Sequence, residues 1–371
     1  MKIGIKFSPP TEYRGGSQYI LASYLVKALF ARHDNLVLYT ASPQYFDTIN
    51  DLVIRKTENP YLQASLLQKG FTWLRHQITF IQAIKNDNCD VLFCPYTNEA
   101  LWRDGGIPQV VTVHDMIPLI YPNHFKVTAA LWKLSYTPIL EKVNAIIAVS
   151  ENTKKDILRF CDIPPNRVFV VPNGFSGKVE DLGGYSENKY GKYILYVSSS
   201  HYPYKNLSLL FDAYKNISSR FPHRLIIVGK SVPRFSYSVE RKIADLGLSD
   251  KVILLENLMD HEMASLYRHA DLFVYPSLYE GFGIPPLEAM AFCVPVVASN
   301  AASIPEVCGK AALYINPQNV DSIAEGMYKG LTDRDLRQRL VTEGLERTKL
   351  FSWEKTAQAI ITVCQNVLAL A

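Results

Sequence analysis

The sequence predicts an α/β protein made of two doubly wound domains, each a parallel sheet covered by helices on both faces. Short apolar runs rich in Val, Ile and Tyr alternate with longer segments at helical spacing, and this alternation restarts once, after Pro172-Asn173-Gly174. Length agrees, because 371 residues exceed one ordinary globular core.

In the first half, strands are expected at Ile3–Phe7, Leu36–Tyr39, Asp90–Phe93, Val110–Val113, Ala145–Val149 and Val168–Val171. Helical segments such as Gln18–Ala31 and Leu131–Lys142 separate them, as right-handed crossovers between parallel strands require. In the second half the strands fall at Tyr193–Val197, Leu225–Val228, Val252–Leu255, Leu272–Tyr275 and Val294–Val297. Phe175–Glu187 has the Gly- and Ser-containing composition of a connection, so the expected domains are 1–176 and 177–351. Ser352 ahead of Trp353-Glu-Lys marks the start of a last helix reaching Leu368. Ligands of open α/β sheets bind at the carboxyl ends of the strands, so two such domains would face each other across a cleft. The loops after Phe7, Val113, Val197, Val228 and Tyr275 are therefore where function is sought.

A hydrophobic fraction of 48% with 12% aromatics belongs to a packed globular chain and excludes a disordered or fibrous one. No uninterrupted apolar run approaches the roughly 18 residues of a membrane span, and Met1–Ile5 enters a strand pattern directly instead of a signal peptide. The expectation is a cytoplasmic protein. Cys89, Cys94, Cys161, Cys293, Cys308 and Cys364 lack CxxC pairing and read as buried free thiols. Residues 1–176 hold 18 Lys+Arg against 14 Asp+Glu, while 177–371 hold 21 of each. The excess points to an anionic partner of the first domain; no nucleic-acid partner is expected.

The most informative stretch runs from Asp271 through Tyr275, Glu280, Gly281, Phe282, Gly283, Ile284, Pro285 and Pro286 to Glu288. A buried strand enters a two-glycine loop, and the prolines open a helix. Glycines admit close approach of a ligand and a helix start presents N–H groups and partial positive charge, a cradle for a diphosphate. Carboxylates there suit vicinal hydroxyls such as those of a ribose. The bland alternative is that both glutamates merely sit at a helix N-terminus, where negative charge is favourable.

This stretch resembles glycosyltransferase family 4, enzymes of the GT-B fold. Glu280 and Glu288 match its E-x7-E motif, and Pro295–Asn300, Ile304–Val307 and Ala311–Leu313 continue the likeness. The resemblance implies two Rossmann-like domains, with the last helix, 352–371, crossing back onto the N-terminal, acceptor-side domain. It also implies a nucleotide-sugar site in the second domain: Glu280 at the transferred sugar, Glu288 on the nucleotide ribose, and the backbone of Phe282, Gly283 and Ile284 at sugar hydroxyls and phosphate. Cys293 stands where the family usually has glycine, which reads as a packing change.

In Ser198–Asn206, Lys205 fits the family lysine that holds the diphosphate, whereas Ser199 or Ser200 replaces the family arginine, leaving a hydroxyl where a positive charge is usual. A lysine is more commonly a solvated surface group, and only this setting argues otherwise. His114 ends the strand Val110–Val113, where family members contact the donor sugar; Asp115 is expected to orient the loop. Gly15-Gly16 resembles a family turn near the phosphates and acceptor, without the spacing of a dinucleotide-binding loop. Asn173, in Pro172-Asn173-Gly174, reads first as part of a hinge and second as a ligand contact. No metal site is expected: Asp333-Arg-Asp335 lies in a charged helical segment remote from the loops, so Lys205 and the helix start would neutralise the leaving group.

Tyr61, Leu66, Leu67, Lys69, Phe71, Trp73, Leu74, Arg75 and His76 mix basic and aromatic residues at partly helical spacing. Such a segment suits either core packing or an anionic bilayer at the inner face of the plasma membrane, beside a lipid-linked acceptor.

The functional expectation is thus a metal-independent, retaining hexosyltransferase acting from a nucleotide-sugar, with UDP-glucose favoured, onto a glycan or lipid-linked acceptor in polysaccharide biosynthesis, and with no cofactor. A GDP-mannose-dependent mannosyltransferase, a nucleotide-sugar epimerase or hydrolase of the same fold, and a non-catalytic sugar-binding scaffold are the alternatives. The missing arginine is the one feature favouring the scaffold.

Overall fold

The computed structural model describes residues 1–7, 17–46, 49–57, 77–102, 105–176, 187–232 and 239–370. The chain divides into two compact units, Met1–Gly174 with Ser352–Ala371, and Phe175–Phe351.

The first unit is a parallel sheet in the order β3-β2-β1-β4-β5-β6-β7. Its strands are β1 Ile3–Lys6, β2 Leu36–Thr40, β3 Val53–Lys56, β4 Val91–Cys94, β5 Gln109–Val113, β6 Ala145–Ala148 and β7 Val168–Val170. Alternate residues serve opposite faces, as the two-residue period of a strand demands. Ile3, Ile5, Val91 and Phe93 enter one core; Val37, Tyr39, Leu92 and Cys94 enter the other. β3, absent from the sequence reading, is an edge strand of mostly exposed residues ending in Arg55-Lys56, so it carries little apolar signal. The expected helix Leu131–Lys142 is longer and irregular: Lys126–Leu131 continues through a π-helical turn at Trp132–Tyr136 into Thr137–Lys142, with Pro138 near the start of that last part. A proline lacks the N–H of a regular turn, and a wider turn is one way to absorb the loss.

The last helix, Trp353–Ala369, is capped by Ser352, whose Oγ accepts from Lys355 N at 3.2 Å. Trp353, Ala357, Ile360, Ile361, Cys364 and Val367 join the first unit's core with Ile3, Ile5 and Phe93. Gly174 makes this docking possible, because a Cβ there would lie 2.6 Å from the backbone N and Cα of Trp353. Thr356 Oγ1 donates to Pro172 O at 2.8 Å, so Pro172-Asn173-Gly174 is a seat for the last helix.

The second unit is a parallel sheet in the order β10-β9-β8-β11-β12-β13. Its strands are β8 Tyr193–Ser200, β9 Arg224–Lys230, β10 Val252–Leu255, β11 Leu272–Tyr275, β12 Val296–Ser299 and β13 Ala312–Ile315. β12 begins two residues later than expected because the preceding residues close a helix. Cys293 N donates to Met290 O and Val294 N to Ala289 O, the paired bonds of a Schellman ending to helix Ile284–Ala291. Cys293 occupies the left-handed position of that ending, with φ 60°, and is exposed. Its kinship with glycine is therefore a matter of backbone conformation and not of packing, and it departs from the expectation of buried thiols that the other five meet.

Candidate active site

Two loops at the carboxyl edge of the second sheet are joined by buried polar contacts. After β8 the chain makes a short 3-10 turn, Pro203–Lys205, and Asn206 adopts a left-handed conformation with φ 66° before helix Leu207–Ile217. The Asn206 amide donates to Pro276 O at 3.0 Å and Pro317 O at 2.6 Å, and Leu278 N donates to Tyr204 O at 2.8 Å. The loop carrying Lys205 is thereby pinned to the ends of β11 and β13.

Lys205 is buried, unlike an ordinary surface lysine, and its Nζ lies 2.7 and 2.8 Å from Glu280 Oε1 and Oε2. Tyr275, the last residue of β11, donates its hydroxyl to Glu280 Oε1 at 2.7 Å. Ser303 Oγ sits 2.9 Å from the carbonyl oxygens of both Glu280 and Phe282, fixing the loop backbone from behind. Phe282 packs edge-on against Phe351, with ring centroids 5.6 Å apart. Gly283 caps helix Ile284–Ala291 at φ 109°, a conformation that favours glycine although a Cβ would meet nothing within 4 Å. Pro285 and Pro286 carry no N–H, so the helix start offers fewer donors than the diphosphate-cradle expectation supposed: Gly283 and Ile284 retain theirs.

Glu288 projects from the second turn of that helix, and its Oε2 accepts the Tyr267 hydroxyl at 2.6 Å. Burial pushes the Glu288 carboxyl above its ordinary range, the Tyr267 bond opposes this, and Asp260 adds to it. Tyr267 stacks on Phe292 at 5.6 Å. Ser199 is exposed and Ser200 pairs with Lys230 across to β9; among the described residues neither is bonded to Lys205 or Glu280.

In the first unit His114 follows β5. Its Nε2–H donates to Pro95 O at 2.9 Å and its ring stacks on Tyr96 at 4.7 Å, while burial depresses its pKa to about 4. The carbonyl partner fixes the proton on Nε2, so Nδ1 is left as an acceptor on a neutral ring. Asp115 Oδ1 accepts from Ile117 N at 2.9 Å and shapes the turn. Sequence reasoning missed Lys6 and Glu99, two buried charges, one ending β1 and the other in the 3-10 turn Thr97–Glu99 that follows β4: Lys6 Nζ donates to Glu99 O at 3.0 Å and lies 3.8 Å from its carboxylate. Asn173 is buried beside the seat of the last helix. Gly15, Gly16 and the basic aromatic segment 61–76 lie outside the described residues. Asp333 Oδ1 accepts from Leu336 N, so the Asp-x-Asp pair begins a helix. Among the described residues no group of three or more His, Cys, Asp and Glu side chains could hold a metal, and no helix is long and apolar enough to cross a membrane.

The family model described as glycosyl transferases group 1 matches residues 184–347, and that of glycosyltransferase family 4 matches 15–176. O-antigen chain mannosyltransferase B of Escherichia coli is 32% identical over 263 residues, covering 68% of both chains. The MMP alpha-(1->4)-mannosyltransferase of Mycolicibacterium hassiacum is 31% identical over 282 residues, covering 71% of this chain and 66% of that one. The match spans only 32% of the E. coli serotype-specific mannosyltransferase WbdA, at 30% identity. Among solved structures, Anabaena HepE in complex with UDP and glucose superposes with a TM-score of 0.74 over 99% of this chain and 100% of its own, at 18% identity, which marks a shared GT-B fold.

Proposed function

The chain belongs to glycosyltransferase family 4, and from that membership we propose that it transfers a mannosyl residue from a nucleoside diphosphate sugar, GDP-mannose, to a hydroxyl of a glycan or lipid-linked acceptor in polysaccharide biosynthesis. The observation that carries the reading is the buried Lys205–Glu280 pair, held by Tyr275 beside a glycine-rich helix start. A buried ion pair with further satisfied hydrogen bonds is an expensive feature to build for packing alone, and it suits a ligand with a diphosphate and many hydroxyls. The sequence leaned to UDP-glucose without a residue behind that choice. Relatives at about 30% identity named as mannosyltransferases now favour mannose.

In this proposal Glu280 receives a sugar hydroxyl, Glu288 the ribose diol, and Lys205 with the Phe282–Ile284 backbone the diphosphate. His114 accepts a sugar hydroxyl at Nδ1. Ser199, Ser200, Gly15, Gly16 and Asn173 are weaker candidates for donor contact. The anomeric C1–O bond to the phosphate breaks as the C1–O bond to the acceptor forms on the same face. The acceptor proton passes to the departing phosphate oxygen, leaving a nucleoside diphosphate and a glycoside of retained configuration. No metal is required.

A thermal-shift comparison tests the donor. GDP-mannose should stabilise the protein by about 2.7 kcal/mol at a hundredfold excess over Kd, and UDP-glucose should not. Stabilisation by UDP-glucose alone would return the reading to glucose.

A further inference from the structure

The Lys205–Glu280 pair contains more geometry than an ion pair needs. A carboxylate oxygen accepts about two hydrogen bonds and an ammonium donates three. Among the described residues Glu280 Oε1 receives both Lys205 Nζ and the Tyr275 hydroxyl, whereas Oε2 receives only Lys205. Oε1 is thus saturated, and the carboxylate keeps accepting capacity on Oε2 alone, next to an ammonium with one N–H left. Tyr275 can impose this because it is itself immobile. It ends β11, it is 1% exposed, and its ring stacks on those of Tyr196, at 6.3 Å, and Phe273, at 5.9 Å. The carboxylate's backbone is fixed independently by Ser303. Lys205 reaches both carboxylate oxygens, and the Tyr275 hydroxyl decides which of the two is left with accepting capacity.

We propose that Tyr275 is a positioning residue: by occupying Oε1 it sets the single orientation in which Glu280 presents Oε2 to the substrate and keeps both oxygens on Lys205. The consequence for transfer rests on the reading of Glu280 as the sugar-binding carboxylate. Removing the hydroxyl leaves Glu280 and Lys205 in place but frees the carboxylate to turn. The ground-state complex loses little by this, since a mobile carboxylate still finds the sugar hydroxyl. The rate suffers, because only the productive orientation serves the transition state.

The test compares Tyr275→Phe with Tyr193→Phe. Tyr193 is a tyrosine of the same sheet whose buried hydroxyl donates to Leu266 O at 2.7 Å and touches neither Glu280 nor Lys205. For Tyr275→Phe, kcat should fall about tenfold with donor KM within about twofold, while Tyr193→Phe loses thermal stability and keeps its kcat. A crystal structure of Tyr275→Phe should show Glu280 in a rotated or divided pose. An unchanged kcat, a loss confined to KM, or an equal kcat loss in Tyr193→Phe overturns the proposal. So does a Glu280 carboxylate still bidentate on Lys205 in one pose. The structural arm needs no turnover: if the wild type transferred sugar from no donor, the functional reading would fail while the crystal structure still decided the role of Tyr275.

Discussion

Replacing Lys205 by methionine keeps most of the side-chain volume and removes the charge, leaving the Glu280 carboxylate, 7% exposed, with the Tyr275 hydroxyl as its one remaining partner among the described residues. Breaking a buried pair from one side costs about 3–5 kcal/mol, because the remaining charge is stranded in a poorly solvated place. The lower figure applies here, since Tyr275 still satisfies one oxygen. In a unit of this size about 3 kcal/mol lowers the melting temperature by roughly 6–12 °C. Glu280→Gln should cost a similar amount by stranding Lys205. The double variant, with no charge left, should recover most of the loss, because an uncharged pair of similar volume carries no stranded charge. Calorimetry on the wild type, both single variants and the double variant completes the cycle. A Lys205→Met melting point within about 1 °C of wild type, or a double variant whose loss equals the sum of the single losses, would refute the reasoning.

Other outcomes follow from single contacts. Cys293→Gly should raise stability by about 1 kcal/mol in urea unfolding, since the residue sits at φ 60° at a helix end where a side chain is strained. Gly174→Ala should destabilise the first unit by about 3 kcal/mol and expose the last helix to limited proteolysis, because its Cβ would meet the Trp353 backbone. His114, with a folded pKa of about 4 below its unfolded value of 6.5, stabilises the fold fully above pH 6.5 and loses that contribution as pH falls towards 4. The loss reaches about 3 kcal/mol, so His114→Gln should flatten the stability–pH curve across that window; an unchanged curve would contradict the buried, neutral ring.

The alternation of apolar runs with helical segments made the two sheets readable, because buried parallel strands are written as continuous Val- and Ile-rich stretches. β3 and β13 escaped because both are edge strands: Val53–Lys56 is mostly exposed, and the middle of Ala312–Ile315 is only half-buried. Glu280 and Glu288 were noticeable in the sequence through their spacing and the glycines between them, and Lys205 through its likeness to the family lysine that follows this strand. Their partners were not: Tyr275, Tyr267 and Ser303 look like ordinary strand, helix and loop residues, and only folding brings Ser303 to the carbonyl of Glu280, 23 positions away. Lys6 and Glu99, 93 positions apart, carry no local signal for the same reason. The lean to UDP-glucose had no such residue behind it, as a base can be held by backbone groups that side-chain identity does not report.

The central claim, that the Lys205–Glu280 site moves mannose from a nucleotide donor, is tested most directly by following labelled mannose from GDP-mannose into a lipid-linked glycan acceptor with a chelator present. The wild type should transfer it, and Glu280→Gln and Lys205→Met should each be slower by a factor of about a hundred or more. Wild-type rates in both variants, or no transfer from any nucleotide-sugar to any glycan acceptor, would contradict it.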